Sequence, residues 1–268
     1  MPHRKVIVIT GASSGIGRAV ALQLAGKDTK LVLIARRLNL LQSLVREIET
    51  KASTAVIVHG DITDRTTMER AVQCCLDRFG RLDVLINNAG AGFFAEVDQT
   101  REEDLDRMLA VNFKGAFFGV RAALPVMRQQ GSGHVINIAS TAGRRGSPYV
   151  GAYCASKFAL VGWTESLRSE LLPSGILVSL ICPGATKTEF FSSALRRTAH
   201  HEGLVGPIEE VERVAARIVG IVRHPRAESR AQPFRRAVFL ALNLLAPSLV
   251  DRLLLRLVGT HTSEPPAT

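Results

Sequence analysis

The sequence predicts an α/β fold: a doubly wound parallel sheet in three layers, α/β/α, built by a single domain with an apolar C-terminal helical extension. Three observations carry this. Short β-branched runs alternate with longer helical patterns from Lys5 to Ile181. Those runs are near-continuously apolar, as strands covered on both faces must be. No repeat or low-complexity segment breaks the alternation, so each crossover is expected to be right-handed.

The elements follow in order. Lys5 to Thr10 reads as a strand and Gly15 to Ala25 as a helix. Lys30 to Ala35 is a strand and Leu38 to Thr50 a helix; Thr54 to His59 is a strand and Asp64 to Phe79 a helix. Leu82 to Ile86 is a strand, and Glu102 to Gln129 one long helix with Pro125 near its end. His134 to Ala139 is a strand, Ala152 to Leu172 a helix and Ile176 to Ile181 a strand. Beyond Pro183 the chain turns polar and irregular, with a short helical piece expected near Glu189 to Arg197. A helix from Pro207 to Val222 follows, Pro207 suiting its first turn. Residues 1–232 are therefore assigned to one α/β domain, with a variable loop at about 185–206, and 233–268 to the extension and tail.

At 268 residues the chain holds ample apolar material for one buried core. Cys74, Cys75, Cys154 and Cys182 show no metal-ligand spacing and no Cys-x-x-Cys pair. They read as reduced thiols of a cytoplasmic protein, and no metal site is expected. The run from Val6 to Thr10 is too short for a signal peptide or a membrane span. The formal net charge is +10, but no basic run is interleaved with aromatics and no nucleic-acid motif appears. Nucleic acid is excluded as a partner on that ground.

Tyr153 and Lys157 stand four residues apart in a helical segment, so both side chains share one face. A phenol has an ordinary pKa near ~10. A neighbouring ammonium favours its anion and is expected to lower that value. The pair has the parts of a proton-transfer device. Upstream, the first strand runs into Gly11-Ala12-Ser13-Ser14-Gly15-Ile16-Gly17 at the start of a helix. Free N–H groups and the positive end of the helix dipole suit a pyrophosphate there. The loop lacks the Gly-Lys-Ser/Thr ending of a nucleotide-hydrolysing P-loop. The second strand ends in Arg36 and Arg37, where an acid would accept from the adenosine ribose of NAD. Guanidinium groups match a 2′-phosphate instead, which predicts NADP(H) over NAD(H).

Together these segments resemble the short-chain dehydrogenase/reductase family, over roughly Lys5 to Thr188. The resemblance implies a Rossmann fold and a set of site residues. Thr10 to Gly17 matches the family's cofactor loop, and Asp61, followed by Ile62, its adenine contact. Asn87-Asn88-Ala89-Gly90 matches its Asn-Asn-Ala-Gly signature. Asn112, Ser140, Tyr153 and Lys157 match its catalytic tetrad. Pro183 and Gly184, with Thr186 and Thr188, match the segment that closes on the nicotinamide. The implied reaction is hydride transfer between cofactor and a carbonyl or secondary alcohol. Tyr153 would move the hydroxyl proton, Lys157 lower its pKa and hold the ribose, and Ser140 orient the substrate oxygen. Asn112 would hold a water linking Lys157 to solvent. A homodimer or homotetramer is implied as well. An epimerase or dehydratase lies within the family's scope, and a non-catalytic NADP sensor or scaffold is the reading from another class.

Phe93, Phe94, Tyr149, Phe190 and Phe191 lie near these motifs and lean the substrate towards a small hydrophobic alcohol or carbonyl: steroid-, retinoid-, long-chain- or aromatic-type. His200 and His201 read as solvent-exposed. The chain departs from the family pattern at its end. Ala227 to Pro233 makes a poor strand, at best a short edge. The stretch 234–258 is strongly apolar but broken at Pro247, too short for a span. Two readings stand: burial against protein, or peripheral contact with a membrane through its apolar face and flanking arginines.

Overall fold

The computed structural model describes residues 5–190, 192–198, 208–230 and 233–259. The strands are β1 (Lys5–Thr10), β2 (Thr29–Ala35), β3 (Thr54–His59), β4 (Val84–Asn87), β5 (Phe93–Phe94), β6 (Gly133–Ile138), β7 (Ile176–Cys182), β8 (Leu195–Arg196) and β9 (Glu228–Arg230). The helices are α1 (Gly15–Leu24), α2 (Leu38–Glu49), α3 (Arg65–Phe79), α4 (Glu102–Leu109), α5 (Gly115–Gln130), α6 (Gly151–Leu171), α7 (Val211–Arg223), α8 (Pro233–Leu245) and α9 (Pro247–Gly259).

Seven strands form one parallel sheet in the order β3-β2-β1-β4-β6-β7-β9. The doubly wound prediction is met. Side-chain alternation explains the unbroken apolar runs. Along β1, Ile7 and Ile9 pack with α1, α2 and α7, through Val20, Leu41, Leu44 and Ile218. Val6 and Val8 point the other way, to Met68 of α3, Val120 of α5 and Leu167 of α6. Chain order reverses between β1 and β4, and the crevice at such a switch point is where open α/β sheets bind ligands.

Four segments differ from the sequence reading. The expected long helix 102–129 is α4 and α5 joined through a π-helical turn, Ala110–Lys114, which holds Asn112. The helical piece expected near Glu189 to Arg197 is reduced to one turn closed by Ser193 N donating to Glu189 O at 2.9 Å, before β8. There the backbone is claimed by β5 instead, Arg197 N donating to Phe94 O at 2.8 Å. The helix expected from Pro207 begins at Val211; Pro207, Phe191, His200 and His201 lie outside the described residues. The poor strand does form: β9 pairs with β7, Leu180 opposite Glu228, at the sheet's edge. Pro233 opens α8 rather than closing that strand, and Pro247 opens α9, both at the position where a missing N–H costs nothing. Val250 and Leu254 of α9 are buried, and Asp251 pairs with Arg145.

Candidate active site

A cavity of about 480 Å³ opens at the C-terminal ends of the strands. Of the predicted site residues, all but Asn112 and Gly17 line it. Gly11 sits at φ 66°, a left-handed conformation that favours glycine. A Cβ on Gly17 would stand 2.4 Å from Gly11 O and 2.5 Å from Asn88 Nδ2, so only glycine lets the helix approach the loop this closely. Gly11, Ser13, Ser14, Gly15 and Ile16 line the cavity. Thr10 fixes the loop to the next one: its hydroxyl accepts from Asn88 N at 2.9 Å and Ala89 N at 3.0 Å. Asn88 Nδ2 returns a bond to Thr10 O at 3.0 Å. Thr10's clamping role was not read from the sequence, although it heads the glycine motif.

Arg36 and Arg37 follow β2 at the cavity rim. Arg36 lies 3.5 Å from Asp61, and its guanidinium is largely exposed. Asp61 also accepts from the Thr63 backbone and hydroxyl, both at 2.9 Å, which fixes its carboxylate beside Ile62. Arg37 reaches across the glycine loop to Ser14 and, at 3.1 Å, to Glu189 of the substrate loop.

The catalytic candidates come from three elements. Ser140 follows β6 and caps a short helical turn, its hydroxyl accepting from Ala142 N at 3.1 Å. The same side chain hydrogen-bonds Tyr153. Tyr153 and Lys157 stand on α6, the Lys157 Nζ 6.0 Å from the centre of the Tyr153 ring. Lys157 is buried and donates to Ile138 O at 3.0 Å. Burial pushes its ammonium down to about 8. Burial also pushes the Tyr153 phenol up to about 12, against the pull of the Ser140 bond. The net direction is opposite to the lowering expected from a nearby ammonium alone, because desolvating a phenolate outweighs it.

Asn112 is buried and braces two elements. It accepts from Ala91 N at 2.9 Å, donates to Ala91 O at 3.0 Å, and donates to Ser156 Oγ at 3.0 Å. Ser156 in turn donates to Tyr153 O at 2.7 Å. The π-helical turn aims this amide into α6, and Ser156 was missed by the sequence reading although it lies inside the Tyr-x-x-x-Lys motif. Gly90 lies against both groups; a Cβ there would be 3.1 Å from Asn112 Oδ1 and 3.6 Å from Lys157 Nζ. The far wall is the loop after β7. Thr141 N donates to Pro183 O at 3.0 Å, and Gly184, Thr186 and Thr188 line the cavity.

Apolar side chains close the substrate end. Phe93, Phe94 and Phe190 line it, with Phe190 5.7 Å from the Tyr153 ring centre. Tyr149 is not among the lining residues. Phe239 of α8 and Leu254 of α9 are, an arrangement that nothing in the strand–helix alternation signals.

These residues fit a nicotinamide dinucleotide. The Gly11–Gly17 contact leaves a side-chain-free surface at a helix start, and the cavity joins it directly to Tyr153 and Lys157. The family model described as short chain dehydrogenase matches residues 5–198. The uncharacterized oxidoreductase YxnA of Bacillus subtilis is 34% identical over 270 residues, covering 97% of this chain and 75% of that protein. A short chain dehydrogenase/reductase from Burkholderia phymatum, solved in complex with NAD, superposes with a TM-score of 0.82 at 27% identity, covering 100% of this chain and 99% of that one. An alcohol dehydrogenase from the archaeon Thermococcus sibiricus, complexed with 5-hydroxy-NADP, gives a TM-score of 0.75 at 28% identity, covering 85% and 95%. The chain belongs to the short-chain dehydrogenase/reductase family. It is an oxidoreductase on a fold that binds a nicotinamide cofactor.

Proposed function

We propose that the protein is an NADP(H)-dependent oxidoreductase that interconverts a hydrophobic secondary alcohol and its ketone, or the matching aldehyde. One observation carries this reading: Ser140, Tyr153 and Lys157 share a single cavity with the glycine loop at one end and Phe93, Phe94 and Phe190 at the other. When bound, the nicotinamide supplies or accepts the hydride. Tyr153 moves the proton at the substrate oxygen. With its phenol held up to about 12, Tyr153 is protonated at neutral pH, the form that gives a proton to a carbonyl oxygen. Ser140 bonds the Tyr153 side chain and orients the substrate oxygen towards it. Lys157, protonated below about 8, supplies positive charge beside the phenol. Asn112 positions α6 through Ser156.

Gly11, Ser13, Ser14, Gly15, Ile16 and Gly17 hold the pyrophosphate end, and Asp61 and Ile62 the adenine. Asn88, Ala89, Gly90, Pro183, Gly184, Thr186 and Thr188 border the nicotinamide end. Arg36 and Arg37 favour the 2′-phosphate, since Arg36 offers an exposed guanidinium at the rim and Arg37 bonds Ser13 at 3.4 Å. A homodimer or homotetramer in the cytoplasm is the assembly and place proposed with this activity. The test is oxidation of NADPH and NADH against a panel of apolar ketones. Turnover with NADPH and an aromatic or long-chain ketone is expected. Binding of NADPH without turnover of any ketone favours a sensor, and a clear NADH preference overturns the Arg36 argument.

A further inference from the structure

Helices α8 and α9 have two unlike faces. The inner face lines the cavity through Phe239 and Leu254, and Val250 of α9 is buried as well. The outer face is apolar and exposed. Val238, Leu242 and Leu245 of α8 lie at i, i+4 and i+7, one side of a helix, and Leu249 and Leu253 continue the exposed leucines on α9. Leu245 is 86% exposed, an extreme value for an aliphatic side chain in a folded element. Arg252 and Arg256 share the exposed face of α9 with Leu249 and Leu253, again at helical spacing. The chain from 233 to 259 carries Arg235, Arg236, Arg252 and Arg256 against a single acid, Asp251. That acid is already engaged by Arg145.

We propose that the α8–α9 pair is an interfacial docking element for an anionic lipid surface. Apolar side chains flanked by guanidinium groups are the makeup of helices that lie in a bilayer interface, leucines among the acyl chains and arginines at the headgroups. Among the described residues no helix is long and apolar enough to cross a membrane, so the contact is peripheral. Charge separates this occupant from a second copy of the chain. Two copies of this face would set arginine against arginine with no free acid to answer, whereas anionic headgroups supply the missing charge. The inner residues of the same pair roof the cavity, which places its substrate end next to the lipid phase. The docking claim itself stands without the assigned reaction.

The experiment is flotation of the full chain with vesicles of phosphatidylcholine alone, or with about a third phosphatidylserine, at low and high salt. The full chain is expected to float with the anionic vesicles and at least ten-fold less with the neutral ones, salt weakening the binding. Leu245→Glu with Leu249→Glu, and separately Arg252→Glu with Arg256→Glu, are each expected to lower flotation at least ten-fold while leaving NADPH binding and the melting temperature in place. Should the leucine pair cost folding, the arginine pair, on exposed positions, carries the test alone. Failure of the full chain to float, or variants that float like the parent, overturns the proposal. So does a solution mass that halves in the leucine variant while vesicle binding persists, which assigns the stripe to a second copy.

Discussion

Tyr153, Ser140 and Lys157 illustrate how far a side chain's chemistry depends on partners distant in the sequence. The spacing of Tyr153 and Lys157 is legible because a helix turns it into proximity. That Lys157 would spend a donor on Ile138 O is not, since it depends on where β6 ends relative to α6. The upward shift of the phenol was equally hidden: it reflects burial, a property of the whole fold. His134 shows the same principle away from the site. It is buried on β6, its Nε2 2.8 Å from Ser179 Oγ. Ser179 donates its own proton to Arg226 O, which leaves the ring nitrogen to donate to Ser179 Oγ. Burial pushes His134 down to about 4 from an ordinary 6.5. Between those values the unfolded chain binds the proton and the folded protein does not, so stability falls as pH drops through 6.5 and levels off below about 4. The loss is on the order of 3 kcal/mol. His134→Gln, which keeps a donor near Ser179, is expected to flatten this limb in melting curves taken across that range; an unchanged limb would assign it to other groups.

At the scale of elements, the long strands and helices were readable because each carries either a sustained apolar run or a helical period. β1 through β4, β6 and β7 repeat apolar residues over four to seven positions, and α2 and α7 carry one apolar side each. The two- and three-residue strands were not, because so short a run has no period to detect. β5 and β8 are two-residue strands that pair with each other, Phe93 opposite Leu195 and Phe94 opposite Arg196, far apart in the sequence. β9 is held by ion pairs that sequence order conceals. Arg144 bonds Glu228 at 2.9 Å and Glu165 at 2.7 Å, tying the edge strand to α6 and to the turn after Ser140. The three side chains are mostly shielded, Glu165 least. Removing the guanidinium leaves two carboxylates facing one another, a loss of about 2 kcal/mol. Arg144→Ala is therefore expected to lower the denaturant midpoint and to loosen β9, read as faster amide exchange at Ser229. A midpoint equal to the parent's would show that β9 is held by its backbone pairing to β7 alone.

For the whole molecule, the order of strands and the order of motifs say the same thing. The sheet's switch point, the glycine loop and the Asn88 clamp meet where chain order reverses, so the dinucleotide site follows from topology as much as from any one residue. The substrate end does not follow from it. Its walls come from Phe190 in an irregular loop and from Phe239 and Leu254 in the extension, which no periodic rule connects to Tyr153. Because the folded chain alone builds the dinucleotide site, ligand stabilises it by mass action. NADP⁺ at about a hundred times its Kd contributes ~2.7 kcal/mol. For a domain of this size that raises Tm by roughly 5–10 °C. NAD⁺ at the same concentration is expected to give a smaller shift, and Arg36→Ala to narrow the difference; equal shifts in the parent would remove the case for a 2′-phosphate site. The central claim is that this fold delivers a proton from Tyr153 to a substrate oxygen beside the cofactor. Single-turnover reduction by Tyr153→Phe, on a ketone verified with the parent, tests it most directly. The account predicts a rate lower by about 10²–10⁴-fold with NADPH affinity retained, and a variant that turns over near the parental rate would contradict it.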